Sequence, residues 1–343
     1  MRAIGYRQPG SIDRSDALID LDLPRPSPAG RDLLVAVDAV SVNPVDTKVR
    51  AGAAPFEGRS ERILGWDAIG RVEAVGPEVS RFAVGDRVFY AGSIARDGSN
   101  AEYQLVDERI VGCAPTSISP AEAAALPLTA ITAWETLFDR LRVDDRKPHG
   151  PASILIIGGA GGVGSIAIQI ARARTDLTVI ATGSRPETQD WVRGLGAHHV
   201  IDHARPLAPQ VEALGLGAPA FVFSTTHTDR HLADIVELIA PQGRLALIDD
   251  PASLDIMPFK RKAVSVHWEL MFTRPLFDTP DMAEQGRLLD TVADLVDAGV
   301  IRTTLTERLS PINAANLIAA HRQLESATTR GKIVLEGWEP RND

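Results

Sequence analysis

From residue 153 onward, short apolar runs alternate with segments whose apolar residues recur at helical intervals. Ile154 to Ile157 is a β-branched run of the kind that forms a strand buried on both faces, and Val163, Ile166, Ala167 and Ile170 then mark one side of a helix. Leu177–Thr182 predicts the next strand, Val200–Asp202 a short one, and Ala220–Thr225 and Arg244–Asp249 two more, with Leu232–Ala240 as the helix between the last pair. Strands and helices in alternation predict an α/β fold with a doubly wound parallel sheet.

The N-terminal part has a different rhythm. Leu33–Val42 alternates, Gly70–Val75 is β-prone, and Val84–Tyr90 reads as a turn followed by a strand, which together predict an antiparallel, barrel-like, β-rich domain. Ala130–Phe138 predicts a helix apolar enough to pack on the sheet, so Asp144–Pro151 reads as a loop into the glycine-rich strand. The Pro-rich stretch Leu23–Gly30 is a second seam. After Asp281 an amphipathic helix runs through Leu288, Leu289, Val292, Leu295 and Val296 to a C-cap at Gly299. A helix at Ala314–Leu324 and a strand at Lys332–Leu335 follow.

Between the strand at 154 and its helix, Gly159, Gly161 and Gly164 match GxGxxG, the dinucleotide fingerprint. The first glycine serves the tight turn, the second admits a pyrophosphate to the backbone, and the third lets helix and strand approach. The helix start, from Gly162 and Val163 to Ser165, offers N–H groups and the positive end of a dipole.

At 343 residues the chain predicts two domains, and 44% hydrophobic with 24% charged residues is a soluble globular composition. A formal charge of −9 and the lack of a basic run argue against a nucleic-acid partner. No apolar span is long enough for a membrane, and the start MRAIGYRQPG lacks a signal-peptide core, so a cytoplasmic location is expected. The single cysteine, Cys113, excludes an intramolecular disulfide and reads as a small core residue.

Several stretches, SVNPVDTKVRAG at Ser41–Gly52, ILGWDAIGRVEAVG at Ile63–Gly76, VGDRV at Val84–Val88, LPLTAITAWETL at Leu126–Leu137, GGAGGVG at Gly158–Gly164 and GKIVL at Gly331–Leu335, are spread over nearly the whole chain. Together they resemble the quinone oxidoreductase branch of the medium-chain dehydrogenase/reductase superfamily. SVHWELMFTRPLF at Ser265–Phe277 resembles a group labelled zinc-binding alcohol dehydrogenase family proteins. The resemblance implies a GroES-like catalytic domain at 1–125 completed by 274–343, a Rossmann-type domain at 126–273, and a homodimer.

Zinc-dependent relatives carry a cysteine and a GHE motif, since Zn²⁺ takes sulfur and imidazole ligands. Here Asn43 stands at the cysteine position and Gly65, Trp66 and Asp67 at GHE, and all eight histidines lie at 149 or beyond. No zinc is expected. The pair His227 and His231 has metal-ligand spacing but reads as an exposed loop and helix start, and His198, His199 and His203 surround a short strand.

NAD-selective folds end their second strand in an acid that binds the ribose 2′-OH. Here Thr182 is followed by Gly183, Ser184 and Arg185 with no carboxylate before Glu187, so NADPH is expected, its 2′-phosphate bonded by Ser184 and Arg185. Ser224, Thr225 and Thr226 end a strand where ligands border an open sheet. By resemblance, Thr129 contacts the nicotinamide side, His203 stands beside the adenosine phosphate and Lys332 approaches the cofactor phosphates.

Without a metal, reduction of a quinone or small α,β-unsaturated carbonyl is the chemistry expected. It needs alignment and a few donors aimed at the developing oxyanion. Asn43 is the expected donor, Trp66 is either an apolar wall or a buried packing residue remote from substrate, and Asp46 and Lys48 follow in the same segment, where Lys48 either stabilises an enolate or pairs with Asp46. A 2-enoyl thioester reductase, an alcohol dehydrogenase and a non-enzymatic NADPH-binding protein remain open alternatives.

Overall fold

All five residues of the strand Ser153–Ile157 are buried, and this strand organises a parallel six-stranded sheet in the computed structural model, which describes residues 1–145 and 152–339. Thr178–Thr182 and then His199–Ile201 pair on one side of it. Phe221–Ser224, Arg244–Leu247 and Ser265–Trp268 follow on the other. The strand order therefore reverses at Ser153–Ile157, the topological switch point where such sheets bind ligands beyond their carboxyl ends. Leu155, Ile157, Ile180, Val222 and Leu245 form its core with Ile235 and Phe259.

The helices Gly162–Arg174, Pro186–Gly194, Leu207–Ala213 and Thr228–Leu238 connect the first five strands. The last of these starts four residues before the expected Leu232. Asp249 accepts the Thr228 N–H at 2.8 Å and so caps a polar turn that carries no apolar periodicity. The expected helix at Ala130–Phe138 is an α-helix over Pro127–Trp134 that widens into a π-helical turn at Glu135–Arg140. The expected loop at Asp144–Pro151 lies mostly outside the described residues.

The chain divides into two units, Met1–Leu128 with Phe272–Asp343, and Thr129–Met271. In the first, a seven-stranded sheet runs Leu305–Leu309, Lys332–Glu336, Asp32–Ser41, Ala68–Val75, Arg87–Tyr90 and Val111–Cys113, with Tyr103–Asp107 also pairing on Asp32–Ser41. Its pairs are antiparallel except Leu305–Leu309 with Lys332–Glu336. Val334 faces Ser41 across the ladder, which carries Lys332 to the segment that begins the helix Pro44–Gly52.

The amphipathic helix Glu284–Asp297 ends as its pattern predicts, with Gly299 at φ +70° just beyond it. Cys113 departs from expectation. It is exposed at the end of its strand, and partial burial followed by the Asp290 carboxylate pushes its thiol up, so it is neither a core residue nor an activated nucleophile.

Candidate active site

In the first unit the residues expected to carry chemistry close into a buried network. Asp67 Oδ1 accepts the Leu128 N–H at 2.6 Å, while Oδ2 accepts from Asn43 Nδ2 at 2.8 Å and from Lys332 Nζ at 2.9 Å. Lys332 Nζ also donates to the Val42 carbonyl at 3.0 Å and to Asn43 Oδ1. Lys332 thus stands with Asn43 and Asp67, and its ammonium is spent on three oxygens there, which corrects the expectation that it reaches for cofactor phosphates. Burial raises the Asp67 carboxyl, opposed by Lys332, the Leu128 N–H and the Asn43 amide.

Asn43 also differs from what was expected of it, and Trp66 takes the second of its two expected roles. Asn43 is 1% exposed, and its amide donates to Asp67 and to the Trp66 carbonyl at 3.3 Å, so it holds no N–H for a substrate oxygen. Trp66 is fully buried, edge-on to Phe272 at 6.1 Å, with its indole N–H on the Ser93 carbonyl at 3.2 Å. It is interior packing rather than a wall on open space.

Asp46 is buried, and its Oδ2 accepts the Asn43 N–H at 2.8 Å at the start of the helix Pro44–Gly52. Burial pushes its carboxyl up to about 7, against the Asn43 N–H and Lys332 and with the help of the Asp67 charge. Lys48 lies exposed on the same helix.

The donor set does not suit zinc. The Asn43 amide is committed, an indole nitrogen has no lone pair to give, and the Asp67 carboxylate is already matched by an ammonium that would repel a second cation. Among the described residues no cluster of His, Cys, Asp and Glu has metal-binding geometry.

In the second unit the glycine turn sits at the carboxyl end of Ser153–Ile157. The left-handed residue is Gly158, at φ +78°, one position before the glycine expected to make the turn. A Cβ on Gly164 would lie 2.3 Å from the Gly158 carbonyl oxygen, so this glycine lets helix and turn touch. A Cβ on Gly161 would meet nothing nearer than 3.4 Å, which leaves its outer side open to an incoming group. The N–H groups of Gly162, Val163 and Gly164 head the helix and have no intrahelical acceptor. This cradle fits a dinucleotide pyrophosphate.

Around it stand the other expected residues. Thr182 Oγ1 accepts the Gly158 N–H at 2.9 Å and lies 3.1 Å from His203 Nδ1. Thr225 Oγ1 donates to the Ile157 carbonyl at 2.8 Å, and Ser224 is buried beneath it, bonded to the Thr228 hydroxyl. Ser184 and Arg185 follow the second strand, with Arg185 Nε 2.6 Å from a Glu187 carboxylate oxygen. Thr129 is buried in the first turn of Pro127–Trp134, past the cap position.

Sequence reasoning missed Gly158, Thr182 and the pairing of Asp67 with Lys332. A polar residue closing an apolar strand, as Thr182 does, was the available signal for the second.

Comparison with known proteins accords with this geometry. Residues 29–118 match the alcohol dehydrogenase GroES-like domain and 195–335 the zinc-binding dehydrogenase model. The chain is 41% identical over 341 residues to a zinc-type alcohol dehydrogenase-like protein of Staphylococcus aureus strain MSSA476, covering 98% of this chain and 99% of that one. A solved protein of Rhizobium etli CFN 42, provisionally described as a zinc-dependent alcohol dehydrogenase, is 66% identical with 99% of each chain covered and a TM-score of 0.97. The chain belongs to the medium-chain dehydrogenase/reductase superfamily.

This medium-chain oxidoreductase also shares its fold with Escherichia coli quinone oxidoreductase, solved with NADPH. That chain is 22% identical, with 98% of this chain and 100% of that one covered and a TM-score of 0.82. The zinc in its relatives' names has no counterpart in the residues at Asn43, Trp66 and Asp67. No helix among the described residues is long and apolar enough to cross a membrane.

Proposed function

We propose that this oxidoreductase is an NADPH-dependent, zinc-independent reductase of quinones or small α,β-unsaturated carbonyls. The observation that carries the reading is the buried Asn43–Asp67–Lys332 network, which puts an ammonium and two committed side chains where an alcohol dehydrogenase needs metal ligands. Oxidising an alcohol requires removal of a hydroxyl proton as hydride leaves, the task a zinc ion performs by lowering the pKa of its bound oxygen. A conjugated acceptor makes a smaller demand. Its oxygen takes up negative charge through the π system and collects a proton from water.

The nicotinamide supplies hydride when the dinucleotide is bound. The turn at Gly158–Gly164 holds the pyrophosphate, Ser184 and Arg185 take the 2′-phosphate, and Thr129 meets the nicotinamide side. NADPH in the E. coli quinone oxidoreductase of the same fold supports the cofactor assignment. The reading includes a homodimer through Ser265–Trp268, the outer strand of its sheet, which sizing by light scattering checks.

Purified protein assayed for metal content and for NADPH oxidation with quinones, enones, enoyl thioesters and alcohols tests the proposal. Turnover of quinones or enones at substoichiometric metal is expected. Stoichiometric zinc on which alcohol turnover depends would make it an alcohol dehydrogenase, preference for enoyl thioesters would move it to that class, and tight NADPH binding with no acceptor would leave it non-enzymatic.

A further inference from the structure

Three histidines from two distant segments lie about the glycine turn of the second unit. His203 comes from the segment after His199–Ile201, and His227 and His231 from the start of Thr228–Leu238. Both groups are tied to Gly158. On one side Thr182 Oγ1 takes the Gly158 N–H and touches His203 Nδ1 at 3.1 Å. On the other, Thr225 lies so close that a Cβ on Gly158 would be 2.3 Å from its Oγ1, and the next residue, Thr226, bonds His227 Nδ1 at 2.7 Å. His231 follows one helical turn later, its N–H on the His227 carbonyl at 3.3 Å.

The acids around this cluster are largely matched by arginines or by backbone N–H groups. Facing it are Arg185 with its partner Glu187, Asp202 with Arg205, and Arg230 and Asp234 on the helix. Asp234 and Asp249 are occupied in part by the N–H groups of Ala208 and Thr228. Burial holds the His203 imidazole below its ordinary value, with Asp202 pulling it up and His227 and Arg185 pushing it down. Burial does the same to His231, reinforced by His203, His227 and Arg230 and opposed by Asp234. The three rings thus lie close enough to repel one another once charged, the arrangement a phosphate relieves.

We infer that His203, His227 and His231 form, with Arg185, a proton-linked receptor for the 2′-phosphate of the cofactor's adenosine. The inference rests on the NADPH reading above and names what sets that preference. Glu187 already holds part of the Arg185 charge, so the dianion draws its remaining countercharge from the imidazoles. They take up protons as it binds, because a nearby negative charge raises their pKa. Affinity for a 2′-phosphate then rises as pH falls from 8.5 to 6.5, where the ester remains largely dianionic. Affinity for an adenosine lacking it does not.

Titration calorimetry of the full chain with 2′,5′-ADP and with 5′-AMP at pH 8.5, 7.5 and 6.5 tests this without any turnover. The first ligand should tighten by about tenfold over that range, an average uptake of about half a proton, and the second by less than about threefold. The triple variant His203→Gln, His227→Asn, His231→Gln should bind 5′-AMP normally and lose the pH slope for 2′,5′-ADP. Asn is chosen at 227 because the backbone there is left-handed, at φ +51°. A flat profile in the parent chain, or a slope that survives in the triple variant, overturns the inference while leaving the NADPH reading standing. Failure of both ligands to bind the parent chain overturns both. Should the triple variant lose 5′-AMP, His227→Asn alone, at an exposed residue, decides: a reduced slope supports the inference and an unchanged one refutes it.

Discussion

Lys332 Nζ lies 2.9 Å from Asp67 Oδ2, and both side chains are at most 4% exposed. Breaking such a pair from one side leaves an uncompensated buried charge, at a cost of about 3 to 5 kcal/mol. Lys332→Met should lower unfolding free energy in urea by that order. Adding Asp67→Asn should recover part of the loss, and a double variant no better than the single one would count against the pairing as the cause.

Asp46 makes stability depend on pH in a predictable direction. Its folded carboxyl, at about 7, lies above the ordinary aspartate value of 3.8, so between those values the folded chain binds more protons than the unfolded one. This group's contribution therefore weakens as pH rises through that window. Asp46→Asn keeps an oxygen for the Asn43 N–H and removes the titration. Relative to the parent chain it should gain about 1.4 kcal/mol or more between pH 4 and pH 7, measured by denaturation at each pH.

A second acid in the other unit behaves alike. Glu269 is pushed up to about 9 by burial and by Glu135, with Arg140, 2.7 Å away, opposing. Glu269 is therefore protonated near neutral pH, with Arg140 held against it. Glu269→Gln should remove a stability loss that the parent chain shows as pH rises from 4.5 toward 9. Parallel pH profiles for the two proteins would refute the raised Glu269 carboxyl.

The glycine turn separates folding from binding. Gly164→Ala forces a Cβ to 2.3 Å from the Gly158 oxygen and should cost about 2 kcal/mol of stability or more. Gly161 has φ −71° and open space, so alanine there should cost no more than about 1 kcal/mol while weakening NADPH binding by about tenfold. Melting curves and cofactor fluorescence read the two effects apart.

Arg185→Asp should cost NADPH far more affinity than NADH, since it places a carboxylate where the 2′-phosphate is proposed to sit. Equal losses would remove Arg185 from that role.

What the chain shows before it is folded depends on where each requirement is written. The turn at Gly158–Gly164 is legible because a close backbone approach admits only glycine, and the strands beside it because burial on both faces demands an unbroken apolar run. The start of the helix at Thr228 is hidden, because its capping group is a distant carboxylate, Asp249, just beyond the strand Arg244–Leu247. The role of Asn43 misled for a similar reason. Its amide looks available until the ladder that sets Val334 opposite Ser41 delivers Lys332, and Asp67 closes the ring. His203 and His227 stayed apart in the reading because their strands lie on opposite sides of Ser153–Ile157, and only the reversal of strand order joins them.

Asp67 and Lys332 are 265 residues apart in the chain. On the ribosome the acid is therefore made long before its countercharge, and the whole of Thr129–Met271 emerges in the interval. The nucleotide-type unit has all its strands in hand while the first unit still waits for two, so nascent-chain folding runs from the middle of the polypeptide outward, and a stalled chain ending before Gly331 should be protease-resistant only over Thr129–Met271.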